Sequence, residues 1–397
     1  MSIQLVIDPG HGGDNHGAEY HDYMEKDITI QVGLAMAEEL EKYDNIDVYL
    51  TRESDKEIGL AKRCEFAKDN NADFYISLHF NASEAHTLYG METWVSAFGE
   101  CYAKGASFAK VWLNEMSDTT LHNRGVKTRL NEDGIDYYGV IKRCTEYNIP
   151  SCIIEHCYMD IEEEYVFYDT SEALVQLGKC DATAVAKYFG LQSAELGVDY
   201  SNYAVDEVPV PSVVMAPDET EPTVSELIEL SRDDSVPEME ILLRGEDQES
   251  GLLYYDYSLD GGNTYTKLLR WPKGETEIKA AIPLQYDKDM TLVCRVYNGY
   301  DLYTESNFIK IDAISQKAEN DAATDAVDVF SESESTMEEV IQVQDFSGIK
   351  ADTGGLDFFI FMIFAILFLS IIIVLVTLKL VFPSKKKRKK SRKKYHK

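Results

Sequence analysis

Positive charge and long apolar runs are scarce through the first 357 residues. Eleven of the 38 Lys and Arg residues lie between Lys379 and Lys397, so the rest of the chain is far more acidic than the formal charge of -32 implies. Such a body excludes nucleic acid as a partner, because phosphate binding needs a basic face. Cysteine is sparse: seven residues, an odd number, with no CxxC pair. That excludes a disulfide framework and a thiolate zinc cluster. Cys152 and Cys157 read as small apolar residues of a buried strand. The opening MSIQLVIDPGHGG runs straight into a strand and is read as leaving no room for a leader within it.

Alternating strand and helix signals fill the first 190 residues. LVIDPG is a short apolar strand ending in a turn, and Ile28, Val32, Met36 and Leu40 then recur at helical spacing. IDVYLTR, a helix around Leu60, Cys64 and Ala67, and DFYISLHFN complete a βαβαβ pattern. METWVSAF adds a strand, Tyr102 to Met116 a helix, PSCIIEH a strand and Thr170 to Phe189 a closing helix. The expectation is an α/β domain over 1–190, an open, mostly parallel sheet flanked by helices, with its site at the strands' carboxyl ends.

His11, His79 and Glu155 fall at such ends, and Glu25 sits at the mouth of the first helix. Zinc accepts imidazole nitrogen and carboxylate oxygen, and a catalytic site keeps one position open for water. His21 and Glu25 have the i, i+4 spacing of a helical metal pair, but His16, His21, His86 and His122 lack a partnered motif.

IDPGHGG, the GA at Gly17, the EKD at Glu25, VYLTR, ADFYISLHFNA and IIEH occur in this order over residues 3 to 190. Together they resemble the zinc-dependent N-acetylmuramoyl-L-alanine amidases of the amidase 3 type. The resemblance implies cleavage of the amide between the lactyl group of N-acetylmuramic acid and L-alanine in peptidoglycan. It also implies that His11, Glu25 and His79 hold Zn2+ and that Glu155 is the catalytic carboxylate. Asn81, two residues past the third ligand, shares a strand side with His79 and is a candidate substrate contact. Arg124, in a stretch resembling the family's RGVK element, is a second candidate, suited to stem-peptide carboxylates. Departures are Phe80 where the family has Ala, and His156 and Cys157 after the catalytic Glu. His156 points away from Glu155 by strand alternation, so a buried structural role is expected.

The rest of the chain changes character. Pro209, Pro211, Pro217 and Pro222 mark 191–236 as a linker. Residues 237–312 alternate with period two around the turn DGGN, which suggests a small immunoglobulin-like or fibronectin-like β-sandwich whose tyrosines serve as strand filler. Residues 313–356 hold ten acidic and two basic residues and suggest a disordered stalk. Phe358 to Leu378 carries no charge and, at about 1.5 Å per residue, is long enough to cross a bilayer as the core of a transmembrane helix over 357–380.

The basic tail at 381–397 favours the cytoplasmic side and puts the enzyme outside. Without a leader, three routes stay open: an upstream start, targeting by the C-terminal span, or a cytosolic enzyme. The expected partners are peptidoglycan and the lipid bilayer; oligomeric state is not legible. The alternatives are another zinc amide hydrolase, such as a peptidase or deacetylase, and a non-catalytic cell-surface binding protein.

Overall fold

Strand alternation decides which helices cover which face of the central sheet. The structure, a computed structural model, describes residues 2–232 and 236–315. Strands β1 (Ile3–Pro9), β2 (Ile46–Leu50), β3 (Phe74–Asn81), β4 (Met91–Val95), β5 (Asn123–Lys127) and β6 (Ser151–Tyr158) pair in the order β2-β1-β3-β6-β4-β5. All neighbours are parallel except β4 and β6, which run antiparallel.

The helices are α1 (Glu25–Leu40), α2 (Leu60–Asp69), α3 (Gly99–Glu115), α4 (Gly139–Glu146) and α5 (Ser171–Phe189). Leu5 and Ile7 of β1, Ile76 and Leu78 of β3 and Ile154 of β6 pack with α1, α3 and α5. Each is fully buried, and that burial stabilises by roughly 1.5–3 kcal/mol per side chain. Residues of the opposite parity, Val6, Tyr75 and Ile153, pack with α2 and α4 in a second, smaller core. Helix α5 shows clear stop signals: Thr170 accepts from the Ala173 N–H at 3.1 Å, and Gly190 closes the helix at φ 63°.

The second half is a two-sheet sandwich. Its strands are β7 (Val224–Arg232), β8 (Glu238–Glu246), β9 (Leu252–Ser258), β10 (Leu269–Arg270), β11 (Glu277–Pro283), β12 (Met290–Asn298), β13 (Tyr303–Glu305) and β14 (Ile309–Ile311). One sheet is β7-β8-β11; the other is β10-β9-β12-β13, with β14 also on β12. Ile241, Leu243 and Ile282 from the first meet Leu292, Cys294 and Val296 from the second around Trp271.

Three features depart from the expectation. The sheet is mostly parallel as expected, but β5 and α4 are added inside stretches that read as a motif and a groove wall. The sandwich starts at Val224, inside the expected linker. That linker is also packed: Tyr203, Val205 and Val208 lie against the amino-terminal core, and the Met215 N–H donates to the Ala97 carbonyl at 2.9 Å. Proline removes amide donors but does not prevent apolar contact.

The α/β part and the sandwich belong to one compact unit. The acidic stretch past residue 315, the apolar span and the basic tail lie outside the described residues. Among the described residues no helix is long and apolar enough to cross a membrane. The seven cysteines carry free thiols.

Candidate active site

The parity that builds the core also aims the site. Asp8 on β1, Ser77 and His79 on β3 and Glu155 on β6 all face the α2 and α4 side, where they line a cavity of about 280 Å³ with His11, Arg63 and Tyr138. Glu25 opens α1, a favourable place for an anion at a helix amino terminus.

His11, Glu25 and His79 converge, with one donor atom from each within 4.8 Å of the others. His11 Nε2 lies 3.0 Å from Glu25 Oε2, and His79 Nδ1 lies 2.9 Å from Glu25 Oε1. Each outer atom is fixed from behind. His11 Nδ1 meets Asn15 Oδ1 at 2.9 Å, and His79 Nε2 meets the Ser77 hydroxyl at 3.2 Å, which donates to Asp8 at 2.8 Å. Glu25 accepts from the backbone N–H groups of Ala18 and Phe80 at 2.8 and 3.0 Å. Outer partners of this kind orient metal-binding histidines, and two imidazoles with one carboxylate suit zinc.

The loop is shaped to bring these atoms close. A Cβ on Gly10 would sit 2.4 Å from the His79 ring, and one on Gly17, at φ +74°, would sit 2.4 Å from Glu25 Oε2. His11 itself holds φ 62°, an uncommon conformation for a residue with a side chain and one that clusters at functional sites. Two buried arginines hold the loop. Arg52 donates to the Pro9, Gly10 and Lys26 carbonyls at 2.9, 2.7 and 2.8 Å, and Arg63 donates to Asp8 and to the His11 carbonyl at 2.6 Å each.

Electrostatics separate the two glutamates. Burial opposes the Glu25 anion, but hydrogen bonds from His11 and His79 outweigh it and hold Glu25 well below the usual carboxylate range. His11 is raised in turn, because Glu25 overcomes its burial. Glu155 moves the other way: burial first, then the Glu25 and Glu92 charges, push it well above the usual range. Its Oε2 is buried without a partner. A carboxyl so placed can take a proton from a reactant and return it.

The two expected substrate contacts are placed differently. Arg124 is a correction: its side chain is only 1% exposed and cannot meet a stem peptide. It donates to Glu92 at 2.7 Å, to the Tyr254 hydroxyl at 2.9 Å and to Asp301 at 2.7 Å, and so joins β4 to the sandwich. Charge spacing in a sequence does not reveal a partner 177 residues away. Asn81 donates to Glu92 at 2.9 Å. Glu92 is the cross-strand partner of Glu155, so the Asn81 amide is engaged beside that carboxylate.

The other histidines also separate. His156 is fully buried on the opposite face, where Nε2 meets Asp181 at 3.0 Å and the ring stacks on Phe80. His16 pairs with Glu19 and His86 with Asp160, while His122, half-buried, lies between Tyr89 and Tyr254. Sequence reading assigned no role to Arg52, Arg63, Ser77, Asp8 or Glu92. Arg52 closes the VYLTR block and Glu92 is the second residue of METWV; their motif positions were the available signal.

Comparison with known proteins places this geometry. The amidase 3 family, described as N-acetylmuramoyl-L-alanine amidase, matches residues 5–187. The N-acetylmuramoyl-L-alanine amidase CwlM of Bacillus licheniformis is 40% identical over 81 residues, which are 20% of this chain and 32% of that protein. The sporulation-specific N-acetylmuramoyl-L-alanine amidase of Bacillus subtilis (strain 168) is 26% identical over 192 residues, 48% of this chain and 69% of that protein. Among solved structures, Cwp6 from Clostridium difficile is similar with a TM-score of 0.45 and 27% identity, over 47% of this chain and 29% of that one. The chain thus spans about a third of the first curated relative and about two thirds of the second. Residues 5–187, just under half of the chain, match the N-acetylmuramoyl-L-alanine amidase family.

Proposed function

We propose that the chain hydrolyses the amide between N-acetylmuramic acid and L-alanine in peptidoglycan with a zinc ion held by His11, Glu25 and His79. The observation that carries the reading is the convergence of those three side chains beside one cavity that Glu155 also lines. When bound, zinc supplies Lewis-acid polarisation of the scissile carbonyl and lowers the pKa of water toward about 7. Asn15 and Ser77 hold the two imidazoles in orientation.

Glu155 takes the proton of the attacking water on its unpartnered Oε2. The water oxygen bonds to the carbonyl carbon, and the C–N bond breaks as Glu155 returns that proton to the alanine nitrogen. Burial, and after it the Glu25 and Glu92 charges, raise Glu155 and favour the protonated form needed in the second half. The products are a lactyl carboxylate and a free L-alanine amine.

Digestion of purified peptidoglycan with and without a chelator tests this. New L-alanine amines that vanish with chelator and return with zinc are expected; chelator-insensitive cleavage removes the zinc reading. We further propose that Phe358 to Leu378 anchors the chain in a membrane with the basic tail cytoplasmic and the enzyme outside, on the grounds of its charge-free run and the cluster that follows. Protease treatment of intact cells should then remove the amino-terminal part; its survival reverses the orientation.

A further inference from the structure

Phe80 and His156 both stand where the sequence departs from the family pattern, and the fold brings the two departures together. Their rings stack with centroids 5.0 Å apart and planes 25° from parallel. His156 and Asp181 of α5 are both fully buried, on the face of the sheet opposite the cavity. A titratable pair away from water is costly unless its polar atoms are all partnered. Here they are. His156 Nε2 meets the two Asp181 carboxylate oxygens at 3.2 and 3.0 Å, and Trp112 Nε1 of α3 donates to the same carboxylate at 2.7 Å. The Trp112 ring also meets His156 edge-on at 5.7 Å.

The other ring nitrogen reaches the metal site. His156 Nδ1 lies 3.2 Å from the His79 carbonyl oxygen. A carbonyl only accepts, so Nδ1 holds a proton and donates it. That carbonyl belongs to the peptide group between His79 and Phe80, and the N–H of the same group donates to Glu25 Oε1 at 3.0 Å. A single peptide plane thus connects the buried pair to two of the three converging side chains. The plane is nearly rigid, so fixing its carbonyl fixes the direction of its N–H. A hydrogen bond to the carbonyl also polarises the group and strengthens donation from the N–H.

We propose that His156 is a positioning residue for the metal site. Through the peptide group between residues 79 and 80 it sets His79 and Glu25 for zinc, while Asp181 and Trp112 hold its ring in place. The inference rests on the reading of His11, Glu25 and His79 as zinc ligands. It gives α3 and α5, which lie across the sheet from the cavity, a part in metal affinity.

The test measures the zinc dissociation constant of the full chain by competition with a chromogenic chelator, with circular dichroism to verify folding. Two variants divide the contacts of His156. His156→Asn keeps an N–H donor near the Nδ1 position but falls short of Asp181, whereas His156→Gln extends toward Asp181 and offers no donor at Nδ1. His156→Gln should bind zinc about tenfold more weakly than the parent, the lower end of the usual effect of an outer partner, and His156→Asn should stay near the parent. A histidine that serves only the fold gives the reverse order, because the contact with Asp181 is then what counts. Equal constants in the two variants, whatever their size, or the reverse order, overturn the proposal.

The double variant His156→Leu with Asp181→Asn covers the case in which a single change prevents folding. It removes both charges together, which buried pairs often tolerate, and keeps an acceptor for Trp112. Its zinc binding should also be about tenfold weaker than the parent's, and parent-like binding overturns the proposal. A parent chain that takes up no zinc rejects the metal reading itself. A parent that binds zinc, with variants that do not differ from it, rejects the positioning role alone.

Discussion

Glu92 on β4 and Glu155 on β6 are direct partners across the one antiparallel junction of the central sheet. Their fates differ because of what surrounds them. Arg124 and Lys127 each donate to Glu92 at 2.7 Å and, against its burial, hold its pKa at about 2. Glu155 Oε2 has no such donor. The sheet therefore sets a compensated carboxylate beside one kept free for chemistry.

Replacing Glu155 with Gln should lower kcat by about 10²–10⁴, the usual weight of a general acid–base group. Zinc content should be unchanged, because Glu155 lies outside the converging triad. Metal analysis beside turnover on peptidoglycan checks both; near-normal kcat rejects the proton-transfer role.

Zinc should stabilise the protein in proportion to occupancy, by about 2.7 kcal/mol at a hundredfold excess over Kd. His79→Ala should abolish that shift. Metal binding needs unprotonated imidazole, and Glu25 raises His11 above its ordinary 6.5. The stabilisation should already be shrinking as pH falls through 6.5. Thermal melts with and without zinc across that range provide the measurement.

Arg124→Met should destabilise the fold by roughly 3–5 kcal/mol, the cost of leaving a buried ion partner uncompensated. Urea denaturation gives the size. A double-mutant cycle with Asp301→Asn should show coupling of about 1 kcal/mol or more, and additivity would mean that the contact carries no energy.

Glu164 has its pKa pushed up to about 7 by burial, against its backbone hydrogen bonds, from an ordinary 4.5. Between those values the folded state binds the extra proton, so its contribution to stability is present below pH 4.5 and is lost as pH rises to 7. The loss is on the order of 3 kcal/mol. Glu164→Gln should flatten that part of the stability profile relative to the parent chain; parallel profiles reject the shift.

The legible parts of this chain were local. Period two in DFYISLHFN placed His79 on the face opposite Leu78, and four-residue spacing from Ile28 to Leu40 gave α1. Ordered motifs named the residues that the fold brings together. What stayed hidden depends on distant contacts. β4 runs antiparallel because of what lies beside it. Arg124 looked like a free cation because its acceptors, Glu92 and Asp301, lie far from it along the chain. The linker read as loose because proline and acidic residues masked Tyr203, Val205 and Val208, which pack on the core.

Arg124 has one more implication, for ancestry. Its guanidinium is divided between Glu92 inside the amidase sheet and Asp301 with Tyr254 in the sandwich. Shuffling the sandwich for an unrelated appendage would strand that cation beside the catalytic strand. The two halves should therefore be inherited as a pair, with changes at positions 124 and 301 arising together across descendants of this gene.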